Sequence, residues 1–189
     1  MKKIALTLSA LLVLVLALAL TSCGGKAETT TETATTTTEP VITTEALPEG
    51  YVLFDNGDIS FAYPESLTKT DGSTVILSDG TNGNNITVVY EAKTNYYEKM
   101  TATDYANDLR PAFSAMGMTI KGYSVNQIKN DKGTSITKIA HTASVSDITL
   151  KQTMLVITAG EKTYTVTVTE MVNDSALVNN VLNTLGLTK

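Results

Sequence analysis

MLVITAGEKTYTVTVTEM, residues 154–171, carries two different apolar patterns on either side of one turn. Met154 to Ile157 is an unbroken apolar run, the pattern of a strand buried on both faces and so placed centrally in a sheet. In the second half Tyr164, Val166 and Val168 alternate with Thr163, Thr165, Thr167 and Thr169, which makes one face apolar and the other hydroxylated. Ala159-Gly160-Glu161 supplies the turn. The segment therefore predicts an antiparallel hairpin at the heart of a sheet.

Working outward, MTIKGYSVNQI (118–128) and TSITKIAHTASV (134–145) read as further strands. Nearer the amino terminus, YVLFDNGDISFAY (51–63) is two short apolar runs joined by Asn56-Gly57, a strong hairpin signal. STVIL and NITVVYE, separated by SDGTNGN, read as strand, loop and strand. Two segments have helical spacing instead. Tyr105, Leu109, Phe113 and Met116 fall on one helical face, with Thr101 and Asp104 as a capping box and Gly117 as the stop. Pro111 lies inside this segment, where it removes a donor and crowds the preceding turn, so a kink or break is expected. From Ser175, Leu177, Val178, Val181, Leu182 and Leu185 form one stripe, with Asn179, Asn180 and Asn183 largely opposite. The pattern is that of an α+β domain over residues 51–189: an antiparallel sheet with two amphipathic helices packed on it.

This layout resembles the PsbP-like fold, including DcrB-related lipoprotein domains. The residues that carry the resemblance are ISFAYPESL (59–67), ITVVYE (86–91) and TYTVTVTE (163–170). It implies a sandwich fold and a varied set of roles, among them assembly accessories and envelope lipid handling, with no activity implied by the fold itself.

Residues 1–50 have a different character. Lys2 and Lys3 precede an apolar run from Ile4 to Leu20, a charged region followed by the apolar core of a signal sequence (1–22). Leu20-Thr21-Ser22-Cys23 resembles the lipobox of bacterial lipoproteins. The resemblance implies cleavage before Cys23 and acylation of its thiol, the chain's only one, making Cys23 the lipidation site and membrane anchor. From Cys23 to residue 50 the chain is rich in threonine and glutamate without apolar period, the composition of a disordered tether. Such spacers resemble those of Gram-positive surface lipoproteins, which implies the outer face of the cytoplasmic membrane.

Loss of Lys2 and Lys3 with the signal takes the formal side-chain charge from −5 to −7, a poor match for phosphate backbones, so no nucleic-acid partner is expected. A single cysteine excludes an intrachain disulfide framework. Catalytic constellations are equally sparse. His141 is the only histidine; a triad with Ser144 and Asp147 is disfavoured because residues three apart on a strand point to opposite faces, and His141 reads as a partly exposed strand residue. The oxygen-rich stretches Asp55–Asp58 and Asp79–Asn85 lack the ligand pattern of a calcium loop and read as hairpin turns. Asp104 and Asp108 read as a solvated helix face, and Tyr96 and Tyr97 as packing against a sheet edge. No catalytic residue, cofactor or metal site is expected. The expected function is a lipid-anchored, non-catalytic binding or assembly-accessory module with an envelope protein or lipid as partner; the alternatives are a carrier of an apolar envelope ligand and, less favoured, a hydrolase.

Overall fold

A computed structural model describes residues 47–80, 83–145, 148–171 and 175–188. The signal segment, Cys23 and most of the tether lie outside the described residues, as does Asp147. In chain order the elements are β1 (Tyr51–Asp55), β2 (Ile59–Pro64), β3 (Thr68–Thr70), β4 (Val75–Ser78), β5 (Asn85–Ala92), a 3-10 turn (Tyr97–Lys99), α1 (Ala102–Ala115), β6 (Thr119–Lys129), β7 (Ser135–Val145), β8 (Ile148–Ala159), β9 (Lys162–Glu170), α2 (Ser175–Thr184) and β10 (Gly186–Leu187). The fold is α+β, an antiparallel sheet carrying two helices.

Seven strands form the main sheet in the order β3-β4-β5-β9-β8-β7-β6, every neighbouring pair antiparallel. β9 is the middle strand and β8 is beside it, as the run Met154–Ile157 requires. The Asn56-Gly57 hairpin also forms, but it joins β10 in a separate three-stranded sheet, β1-β2-β10.

The main sheet separates two cores. On one face Tyr164, Val166 and Val168 meet Leu155, Ile157, Ile86 and Val88, covered by Leu177, Val178 and Val181 of α2 and by Phe54, Ile59 and Phe61 of the small sheet. On the other face Tyr105, Leu109 and Phe113 of α1 pack with Ile139, Met154 and Val156. The alternating threonines of β9 point to this second face, where Thr163, Thr165, Thr167 and Thr169 are all buried. The hydroxylated face is thus an interior one. Threonine tolerates this because its methyl group packs while its hydroxyl finds a partner: Thr169 Oγ1 accepts from Gln152 Nε2 at 3.1 Å, and Thr163 Oγ1 accepts from the Thr94 amide at 3.0 Å.

α1 begins at the expected capping box, in which Thr101 Oγ1 accepts from the Asp104 amide at 3.1 Å and an Asp104 carboxylate oxygen accepts from the Thr101 amide at 3.0 Å. It ends as a Schellman motif: Gly117, at φ +70°, donates to the Ser114 carbonyl and Met118 to the Phe113 carbonyl. Met116 is the C-cap residue, and its partly buried side chain packs against the same core as Tyr105, Leu109 and Phe113. The break expected at Pro111 does not occur; α1 runs through it. Pro111 and Asn107, whose carbonyl loses its helical donor, are both exposed, so that carbonyl is on the solvent side of the helix and the ring lies away from the core.

Two substitutions test this packing by urea unfolding. Leu155→Ala removes a fully buried side chain from the first core and is expected to cost about 2–5 kcal/mol. Pro111→Ala restores a helical donor and is expected to stabilise by about 1–3 kcal/mol, whereas a loss of stability would show that the ring is itself a packing element.

Candidate functional site

The main sheet opens at one end. The β7–β8 ladder stops at Thr137↔Val156, yet β8 stays paired with β9 as far as Ala159↔Lys162, and β7 with β6 as far as Lys129↔Ser135. Ile136 and Ile157 would be the next pair of the register, and Ser135 and Thr158 the next hydrogen-bonded pair; instead all four line a cavity of about 550 Å³. The hairpin turns fix which main-chain groups face it. The Asn130 amide donates to the Thr134 carbonyl at 3.1 Å, so Thr134 and Ile136 turn their hydrogen-bonding groups to β6, while Ser135 and Thr137 turn theirs to β8. On the other wall the two-residue turn Gly160-Glu161 closes on Ala159 and Lys162; Ala159 and Ile157 therefore face β9, and Thr158 faces the opening.

Each wall is tied to a different part of the small layer. Asn130 sits in the β6–β7 turn and its Nδ2 donates to the carbonyls of Leu182 (2.9 Å) and Leu185 (2.6 Å) at the end of α2. Its Oδ1 accepts from the amides of Lys132 (3.2 Å) and Thr134 (3.0 Å). The tip of β8–β9 is held instead by Asp58 of the β1–β2 turn, whose carboxylate accepts from Lys162 Nζ and from the Tyr164 hydroxyl, both at 2.7 Å. The Asp58 hydrogen bond raises the Lys162 pKa. Each hairpin tip thus has its own anchor, and Gly186 and Leu187 of β10 line the gap between the tips.

Polar side chains inside the opening are largely committed. Gln127 Nε2 donates to the Tyr97 carbonyl at 3.0 Å, and its Oε1 accepts from Thr137 Oγ1 at 2.8 Å. Thr163 is engaged with Thr94. Lys132 and Glu98, of opposite charge, also line the cavity, beside the apolar Ile136, Ile157 and Leu187.

The residues singled out in the sequence lie elsewhere. His141 is fully buried, not partly exposed, because α1 covers the face of β7 to which it points. Its Nδ1 is 3.2 Å from the Tyr105 hydroxyl, its ring meets Phe113 edge-on, and its Nε2 has no hydrogen-bond partner among the described residues. Burial pushes its pKa down to about 4, an effect that Gln152, directly across the ladder, opposes only in part. Ser144 lies on the other face of β7, 3.4 Å from the Thr149 hydroxyl, so the structure does not bring it to His141.

Asp104 is spent on the helix cap, and Asp108 accepts from the Tyr96 hydroxyl. Partial desolvation, with the Asp108 carboxylate beside it, pushes the Tyr96 pKa up to about 12. Tyr97 packs into the interior core beneath α1 rather than against a sheet edge, and Tyr96 stays exposed. In the Asp55–Asp58 turn, Asn56 Oδ1 accepts from the amides of Asp58 (3.1 Å) and Ile59 (3.0 Å), and Gly57 adopts φ +84°. In the Asp79–Asn85 loop, Asn84 Oδ1 accepts from the Met171 amide at 2.9 Å. The first stretch is a hairpin turn; the second joins the antiparallel pair β4 and β5, and residues 81–82 within it lie outside the described residues.

No protein-family model matches the chain, and no curated protein matches it. Solved structures are similar to it, two of them as follows. A protein from Bacteroides thetaiotaomicron VPI-5482 gives a TM-score of 0.45 at 11% identity over 69% of this chain; the match spans 45% of that protein's length. LpqN, involved in cell envelope biogenesis of Mycobacterium tuberculosis, gives a TM-score of 0.37 at 14% identity, covering 74% of this chain and 91% of its own. Likenesses this remote carry no argument about function.

The buried histidine yields a pH dependence. Its pKa is 6.5 in an unfolded chain and about 4 here, so between those values the unfolded state binds more protons. The His141 contribution is complete above pH 6.5 and is lost as pH falls toward 4, about 3 kcal/mol in all. Urea unfolding at pH 7 and pH 4.5 is expected to show a drop about 2–3 kcal/mol smaller in a His141→Gln variant than in the natural chain. Equal drops would show that His141 is not held neutral.

Proposed function

We propose that this chain is a lipid-anchored protein of the cell envelope, held at the outer face of the cytoplasmic membrane through Cys23, whose folded part is a non-catalytic binding or assembly-accessory module of PsbP-like type. The observation that carries this reading is the run Leu20-Thr21-Ser22-Cys23 directly after an apolar segment headed by two lysines. A diacylated thiol with an acylated amino terminus provides two chains, enough for stable anchoring where one is marginal. The Thr/Glu-rich tether then places the domain clear of the bilayer, where an acidic body is repelled by anionic lipid.

The separation of His141 from Ser144 and the commitment of Asp104 to a cap favour a binding role over a hydrolytic one. Between sheet and helices the space is taken by core side chains such as Phe113, Val166 and Val181. The described cavity of about 550 Å³ lies instead at the sheet end and has a mixed lining, which favours a polar partner over an apolar cargo.

Fractionation and metabolic labelling test the anchor together. The natural chain is expected in the membrane fraction, labelled by palmitate and removable from intact wall-digested cells by added protease. Cys23→Ser is expected to lose the label and to leave the membrane fraction. A Cys23→Ser chain that stays equally membrane-bound would overturn the proposal.

A further inference from the structure

We propose that the cleft between β7 and β8 is a recognition site for an extended polypeptide end, which pairs its main chain with Thr158 on one wall and Ser135 on the other. The inference rests on the binding-module reading above and adds the chemical class of the partner. Thr158 and Ser135 each present an N–H and a C=O that the ladder would have joined had it continued to the next hydrogen-bonded pair beyond Thr137↔Val156. Main-chain groups aimed at a gap are what an added strand uses for affinity. The Thr137↔Val156 rung closes the bottom of the wedge, so a segment enters from the hairpin tips and stops. That shape admits a chain end rather than a strand passing through. The free stretch of β8, Ile157–Ala159, rises about 3.3 Å per residue, so about 10 Å of extended chain lies alongside it.

The side chains support the same class. Gln127, the amide side chain in the lining, is spent on Tyr97 and Thr137, which removes a principal means of holding a saccharide. Ile136, Ile157 and Leu187 offer an apolar contact for a ligand side chain, and the opposite charges of Lys132 and Glu98 meet either charge of a chain end.

The test uses the full chain, 15N-labelled, in detergent micelles. The probe is an equimolar mixture of random tetrapeptides at millimolar concentration, set against the same mixture N-methylated along its backbone and against chitotetraose. Saturable shifts confined to the amides of Ser135, Thr158 and their neighbours are expected with the plain mixture, with about tenfold weaker binding of the N-methylated one. Thr158→Pro removes an N–H that faces the cleft and not β9, so it is expected to abolish the shifts while leaving the urea midpoint in place. No shift at Ser135 and Thr158, equal binding of the N-methylated mixture, or a response to chitotetraose in place of peptide would each overturn the proposal. Should Thr158→Pro fail to fold, the N-methylated probe decides alone. Palmitate labelling is untouched by any of these results, so failure of the cleft and failure of the anchor are read separately.

Discussion

Burial of the β8–β9 hairpin on both faces is the constraint on which the domain depends. β9 is covered on one side by α2 and the small sheet and on the other by α1, and from Thr163 onward all its described residues are buried. A strand in that position needs side chains that pack in both directions. Valine and tyrosine serve one side; threonine serves the other, where it brings β-branched bulk and a hydroxyl that bonds within the layer. The two helices are amphipathic because each covers one face of this hairpin and its neighbours. α1 lies also against β6 and α2 against β2, so the hairpin is the ground that the two cores share.

The opening between β7 and β8 follows from how the layers are fastened. A sheet left to itself would continue pairing to the hairpin tips, since each rung satisfies main-chain groups that otherwise need water. Here the β6–β7 turn gives its Asn130 amide to the carbonyls at the end of α2, groups that a helix terminus leaves unpaired. The β8–β9 tip is engaged by Asp58. One rung is exchanged for capping of a helix and closure of a turn, and the result is a gap with ordered main-chain walls.

Much of the architecture was legible in the sequence because period and turn chemistry are local. The strands from Thr119 to Glu170, the hairpin at Asn56-Gly57, the capping box at Thr101 and the stop at Gly117 all follow from residues within a few positions of one another. What was not legible depends on partners far apart in the chain. The burial of His141 and of the threonine face of β9 requires knowing that α1 crosses that side of the sheet. Pro111 misled because propensity ignores which side of a helix meets water. The cleft left no local signal at all: Ser135 and Thr158 are ordinary strand residues, and the contacts beside them, Asn130 with Leu182 and Leu185 and Asp58 with Lys162, join positions more than fifty apart.

Native-state hydrogen exchange tests the central constraint most directly. If the hairpin is the part on which both layers depend, the amides of Tyr164 to Thr169 exchange slowest in the domain, at the free energy of global unfolding measured by urea. Exchange of those amides through a smaller opening, as fast as in the edge strands β3 and β4, would contradict the account.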